Sequence, residues 1–325
     1  MQVEIVKSFL KVLAGLILAA GIGLPLDGRS LSLASKPVSN LFLTPASVKL
    51  KTDPKQKDSH RIMTCNIRVT GLEADMGKPG RPWEERKEVC RAVIAKQRPD
   101  IICMQEVIYD SYAYMKAELK DYYAYGFSGP EMDAHKEGYH FISKNVIFFR
   151  KSRYELVSSG NYWFSESPLK AGSLSWGTKR ARHCNWVRLL DKKTGDEFRV
   201  LDIHLDHYSE EARLSQAELL IEEAGQYSED FPQIICGDFN SEIGSKAVKA
   251  IYQAGWKDVY EWLGLPDRAS YHAFKGEEYK KTKRIDFIFI KGKAMPVYCR
   301  MIDENIGGIF PSDHYFIMAD INILK

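Results

Sequence analysis

The chain has 325 residues, 45% of them hydrophobic, which is enough apolar material for one large core or two small ones and excludes a disordered protein. Its 46 basic and 43 acidic side chains leave a net charge of +3, so no overall field draws it to nucleic acid or an acidic surface, and any such preference has to be local. Six cysteines are too few for a disulfide scaffold, and Cys65, Cys103 and Cys236 sit in short apolar runs where a free thiol behaves as a small hydrophobe.

In chain order, residues 1–34 stand apart from the rest. Lys7 and Lys11 lead into an uncharged stretch, 12–26, that is shorter than the roughly 20 residues of a comfortable bilayer span. This is the form of a signal peptide, with Ser32-Leu33-Ala34 or Ala19-Ala20-Gly21 as the cleavage site; an uncleaved membrane anchor or an apolar helix packed on the body also fits. An exported or membrane-anchored protein is expected. Residues 35–59 mix Ser, Pro, Lys and Asp without a period and read as a linker, so the catalytic domain is expected over 60–325.

Short apolar runs then alternate with helical patterns. Residues 61–66 read as a strand, and 83–97 as a helix opening behind Pro82 with Glu84 and Glu85 in its first turn. Pro99 breaks the chain before a buried strand at 100–105. Further strands are expected at 146–149, 154–158, 185–190 and 198–204. After Tyr208 comes a helix with Ser209 as N-cap and Leu214, Ala217, Leu220 and Ile221 as its apolar face. A strand at 233–236, a helix at 246–253 and strands at 285–290 and 316–323 complete the series. The class is α/β or α+β: a mixed or antiparallel sheet core with flanking helices, since no glycine-rich dinucleotide loop follows the first strand.

Strand after strand ends in a residue able to bind a metal or a phosphate: Asn66, Glu106, His204, Asp238 with Asn240, Asp286, and Asp313-His314. Strand ends on one edge of a sheet converge, so these groups are expected to face one cleft. Asp286, flanked by Ile285, Phe287, Ile288, Phe289 and Ile290, needs a cationic or imidazole partner to offset its desolvation. Glu106 and Asp313 are hard oxygen ligands suited to Mg²⁺ or Mn²⁺, with Asn66 assisting. Asp238, Asn240, His204 and His314 can supply the positioned water, the base and the donors that phosphate-ester hydrolysis requires.

The ordered motifs NIR at Asn66, QE at Glu106, HLDH at His204, GDFN at Asp238, RIDFIF at Asp286 and SDH at Asp313 resemble the DNase I-like endonuclease/exonuclease/phosphatase superfamily over about residues 61–323. The resemblance implies a four-layer sandwich of two mixed sheets between helices, and Mg²⁺-dependent attack of water on phosphorus. It makes Glu106 the principal metal ligand with Asn66 beside it and Asp313 as a second carboxylate. It makes Asp238 the group that orients or deprotonates water, Asn240 a phosphate or water ligand, and His314, held by Asp286, the grip on the scissile phosphate. His204 would be a phosphate ligand or the general acid. Asp206-His207, the segment 163–168 and Trp176 look like an exported bacterial branch, whereas Asp202 stands where a neutral polar residue is expected.

Arg182, Asp206, His207, Trp176 and His272 are candidate substrate contacts, among loop aromatics that include Trp163, Trp186, Tyr208, Tyr271 and Phe274. The basic runs 179–183 and 280–284 suit a phosphate-rich ligand. The expectation is a monomeric phosphodiester or phosphomonoester hydrolase acting on nucleic acid or a small phosphoester. A lipid phosphoesterase of sphingomyelinase or phosphoinositide type, with membrane association through the N-terminus, is the alternative, and a non-catalytic binding module the third.

Overall fold

The structure, a computed structural model, describes residues 55–128, 143–280 and 283–325. The chain divides into two units, Met1–Ser47 and Val48–Lys325, and every described residue belongs to the second. The expected signal or anchor and most of the expected linker lie outside the described residues. Among those described, no helix is long and apolar enough to cross a membrane.

Among the described residues twelve strands are formed: β1 (His60–Asn66), β2 (Ile101–Val107), β3 (Tyr122–Tyr125), β4 (Lys144–Arg150), β5 (Tyr154–Trp163), β6 (His183–Asp191), β7 (Glu197–His204), β8 (Gln233–Asp238), β9 (Lys257–Asp258), β10 (Asp286–Lys291), β11 (Ala294–Ile302) and β12 (Phe316–Ile323). The helices are α1 (Trp83–Gln97), α2 (Tyr109–Glu118), α3 (Glu210–Ala224), α4 (Lys246–Gln253) and α5 (Val259–Trp262). One sheet has the order β11-β12-β1-β2-β4-β3, the other β5-β6-β7-β8-β10-β9. Both are mixed, because β1–β2 and β7–β8 are parallel among otherwise antiparallel pairs.

Alternation along the strands builds three apolar layers. Ile62, Cys103, Val187, Val200 and Ile234 fill the space between the sheets. Met63, Cys65 and Met104 face outward under Val89, Val93 and Ile94 of α1, and Leu201, Ile203 and Ile235 lie under Ala217 and Leu220 of α3 and Val248 of α4. The result is the four-layer sandwich of two mixed sheets between helices. All six cysteines are buried free thiols.

α1, α4 and β12 have the expected bounds, and Ser209 Oγ caps α3 by accepting from the Ala212 amide at 3.1 Å. The buried face of α3 is Ala212, Gln216, Ala217, Leu220 and Ala224, so Leu214 and Ile221 are only partly covered. The last residues of the expected linker are tied down: Lys55 pairs with Asp100, and Ser59 Oγ donates to the Gln56 carbonyl at 2.8 Å.

Candidate active site

The two parallel pairs decide where the chemistry sits. β1 and β2 end side by side, with Asn66 beside Gln105, and β7 and β8 end with His204 beside Asp238. β10 runs antiparallel to β8, so its first residue, Asp286, lies opposite Asp238. β12 runs antiparallel to β1, which brings the preceding Asp313 and His314 to the same end. Glu106, His204, Asp238, Asn240, Asp313 and His314 line one cleft of about 430 Å³, with Asn66 and Asp286 hydrogen-bonded to its wall.

Glu106 is aimed by a break in its own strand. The β2–β4 register slips between Met104 and Val107, and Glu106 takes φ 63°, a left-handed conformation that costs a non-glycine residue on the order of 1–3 kcal/mol. The turn lets Oε2 accept the Val69 amide at 2.7 Å and Oε1 accept Asn66 Nδ2 at 3.0 Å. Burial pushes this acid up, but the Val69 amide, Arg68 and the Asn66 bond outweigh it and hold Glu106 below the usual carboxylate range. The same Asn66 amide donates to Asp238 Oδ2 at 3.0 Å, so it spans the two sheets.

Asp238 depends on the glycine before it. A Cβ at Gly237 would stand 2.1 Å from the Ile203 carbonyl oxygen, so only glycine lets β7 and β8 close up at the site. Asp238 Oδ1 accepts the Asn240 amide at 2.8 Å, while Oδ2 lies 3.4 Å from His204 Nε2 and 3.9 Å from His314 Nε2. Burial first, and then Asp286, push its acid up to about 7 against the pull of His314.

The two histidines carry opposite charge states. His314 Nδ1 is 2.9 Å from Asp286 Oδ2, the imidazole partner that the apolar surroundings of Asp286 require. Burial pulls His314 down, but Asp286, with Asp238 and Asp313 behind it, raises it to about 10, so it is an imidazolium. Burial, then Arg182 and His314, hold His204 well below its ordinary value and keep it neutral.

Ligand atoms of Glu106, His204 and Asp238 lie within 4.8 Å of one another, as do those of Asp238, Asp286 and His314. The first group fits a cation better, because Glu106 is ionised and His204 neutral, the states in which they ligate, whereas an imidazolium has no lone pair to offer. Asp313, expected as a further ligand, belongs to neither group: its carboxylate lies 3.2 Å from Arg68 Nη1 and accepts from Ser312 Oγ at 3.2 Å.

Among the expected substrate contacts, Arg182 and His207 line the cleft. Asp206 does not: it is fully buried, and its Oδ1 accepts the Tyr208 and Ser209 amides, both at 2.8 Å, at the start of α3. His272 is 1% exposed, stacked on Tyr315 at 4.0 Å, and is a packing residue rather than a contact. Trp176 is half-buried in a loop and does not line the cleft. Trp163 is buried against His183, and Arg284, from the second basic run, is buried between Asp258 and Asp267.

Arg68 and Arg86, given no role in the sequence, matter here, as does Arg180 of the first basic run. Arg68 binds Asp75 and Asp313 at the cleft wall, and Arg180 lines it. Arg86 of α1 donates to the carbonyls of Ile67, Arg68 and Pro311, tying the loop after β1 to the one before β12. An arginine on the buried side of an amphipathic helix is the signal that marks it.

Residues 63–314 match the endonuclease/exonuclease/phosphatase family. An endonuclease/exonuclease/phosphatase from Bacteroides vulgatus superposes with a TM-score of 0.72 at 28% identity, covering 82% of this chain and 100% of that one. Nocturnin of Homo sapiens is 25% identical over 86% of this chain and 69% of its own length. Human tyrosyl-DNA phosphodiesterase 2 is 24% identical over 86% of this chain and 74% of its own length. With the two mixed sheets and the strand-end cleft in place, the match over residues 63–314 settles the relationship: the chain belongs to the endonuclease/exonuclease/phosphatase family of phosphoester hydrolases.

Proposed function

We propose that this protein is a divalent-cation-dependent hydrolase that opens phosphate esters by in-line attack of water on phosphorus. The observation that carries the reading is the buried Asp238 lying 3.9 Å from Nε2 of His314, whose Nδ1 Asp286 holds in place. Glu106, His204 and Asp238, with Asn66 beside them, would hold Mg²⁺ or Mn²⁺, which supplies charge neutralisation for the phosphoryl oxygens.

The rest follows from the chain's own groups. Asp238, poised at about 7, orients the water and takes its proton as the water oxygen bonds to phosphorus. The bond from phosphorus to the ester oxygen breaks, and that oxygen leaves as the alcohol with a proton from solvent. His314 Nε2 donates to a non-bridging oxygen whose charge grows in the transition state. Asn240, anchored through Nδ2 to the Leu205 carbonyl at 3.0 Å, stays rigid beside it. Neutral His204 suits the phosphate-ligand role better than that of general acid, because it carries no extra proton to give.

The lysine-led apolar stretch at 12–26 supports export or anchoring of this hydrolase. The test of the reading is product release from single-stranded DNA, RNA, sphingomyelin, phosphoinositides and sugar phosphates with Mg²⁺, Mn²⁺ or EDTA. Cation-dependent turnover of any of them is expected; binding without turnover across the panel would replace the hydrolase with a binding module.

A further inference from the structure

We infer that Arg182 and His207 form an anion subsite beside the reaction centre that takes the third non-bridging oxygen of a phosphate monoester, making this a cleft for dianionic terminal phosphates rather than internal diester links. The inference rests on the phosphoester-hydrolase reading.

Five arginines are buried among the described residues, and four are matched by the protein itself. Arg61 pairs with Asp320, Arg199 with Glu223 and Arg284 with Asp258, while Arg86 donates to backbone carbonyls. Arg182 is the exception. At 7% exposure its guanidinium makes one hydrogen bond, from Nη2 to His207 Nδ1 at 3.2 Å, and among the described residues it makes no ion pair and leaves Nε without a partner. Glu106, Asp238 and Asp206 offset part of the cost of its burial, but none of them forms an ion pair with it, so the guanidinium keeps donors at the cleft for an anion from outside the fold.

His207 sharpens the chemistry of that anion. A guanidinium only donates, so His207 Nδ1 is the acceptor and its proton sits on Nε2. Burial and the neighbouring Arg182 hold His207 down to about 4, so the ring stays neutral and keeps this tautomer. The pair therefore offers the cleft N–H groups and no acceptor, the complement of phosphate oxygens. It is separate from the donors already assigned. A diester phosphoryl group has two non-bridging oxygens, served by the cation end at Glu106 and by His314 with Asn240. A monoester has three, and Arg182 with His207 supplies the donors for the third.

The full-length protein with Mn²⁺ and two esters of the same leaving group, p-nitrophenyl phosphate and bis-p-nitrophenyl phosphate, tests this together with the thermal stabilisation by inorganic phosphate. Wild type is expected to favour the monoester, and Arg182→Gln to lower the monoester-to-diester ratio of kcat/KM by about 100-fold, the scale of a lost charged hydrogen-bond set. Phosphate is expected to raise the Tm of wild type and not of Arg182→Gln. Equal losses on both esters, or equal stabilisation of both proteins by phosphate, would each overturn the subsite. Hydrolysis of neither ester by wild type would instead sink the hydrolase reading, and the phosphate shift would then decide the subsite alone.

Discussion

Nδ1 of His314 and Oδ2 of Asp286 stand 2.9 Å apart, and this contact sets the charge of the reaction centre. Asp286 lies in a strand of buried Phe287, Ile288 and Phe289, and His314 is the side chain its carboxylate meets there. Replacing it with asparagine keeps the shape and removes the charge, so the imidazolium is lost near neutrality. Asp286→Asn is expected to lower kcat/KM by about 100- to 1,000-fold with little change in KM. The pH dependence of stability gives a second reading of the pair. His314 is raised from 6.5 to about 10 in the fold, so its stabilisation is complete below pH 6.5 and is lost as pH rises toward 10. Chemical denaturation between pH 6 and 10 should show that slope in wild type and a flatter one in Asp286→Asn.

Asp238 and His314 together predict a plateau in the pH–rate profile. Asp238 has to be deprotonated and titrates at about 7, while His314 has to be protonated and titrates at about 10. Activity is therefore expected to rise into neutrality and to fall only as pH approaches 10, with a bound cation drawing the acid limb lower. A kcat/KM that declines steadily from pH 7 to 9 would contradict the assigned charge states.

Glu106 should govern affinity for the cation. Its left-handed backbone and its two hydrogen bonds fix the carboxylate before any ion arrives, at φ 63° and with the Val69 amide 2.7 Å away. Glu106→Gln keeps the shape and one of the two accepted bonds, since its Nε2 can only donate, and removes the charge. Titration calorimetry of the chelator-treated protein with Mn²⁺ should show about 10- to 100-fold weaker binding in the variant, and an unchanged affinity would move the ion elsewhere.

Asp202 is the position where the chain departs from the neutral residue expected, and the fold makes the departure mild. It is fully buried between the sheets, its Oδ1 accepts Gln105 Nε2 at 2.6 Å, and burial pushes its acid well above the ordinary value against that bond. A carboxyl raised in this way weakens the fold as pH climbs above about 3.8, because the unfolded chain then ionises and the folded one does not. Asp202→Asn is accordingly expected to stabilise the protein by about 1–3 kcal/mol at neutral pH, with the gain growing between pH 4 and 8. Denaturation midpoints at those two pH values check it, and a gain that shrinks with pH would refute it.

The sequence shows those parts of the fold in which local pattern and tertiary packing agree. α1 carries its proline and acidic first turn, α4 and β12 have clear edges, and each strand-end polar residue stands out against the apolar run beside it. Elements held mainly by their neighbours stay hidden. α2 is rich in tyrosine with no apolar period, and β11 contains Pro296 at a register slip, which in sequence argues against a strand. The site follows the same division. Asp286 declares its need for a partner because its burial is written in the residues beside it. Arg182, a candidate contact in the sequence, lines the cleft, whereas only the fold shows that Arg284 of the second basic run is taken up by Asp258 and Asp267. Asp206 and His272 have the right chemistry but are used to hold the turn before α3 and as a packing ring.

The central claim is that Asp238 works on water beside a cation held at Glu106 and His204. The most direct measurement is hydrolysis of bis-p-nitrophenyl and p-nitrophenyl phosphate by wild type and Asp238→Asn with Mn²⁺, Mg²⁺ or EDTA, alongside thermal melts of both proteins. Wild type is expected to turn over an ester in a way that EDTA abolishes, and Asp238→Asn to lose at least about 1,000-fold with the melt preserved. Turnover that survives EDTA, or an Asp238→Asn protein as fast as wild type, would contradict it.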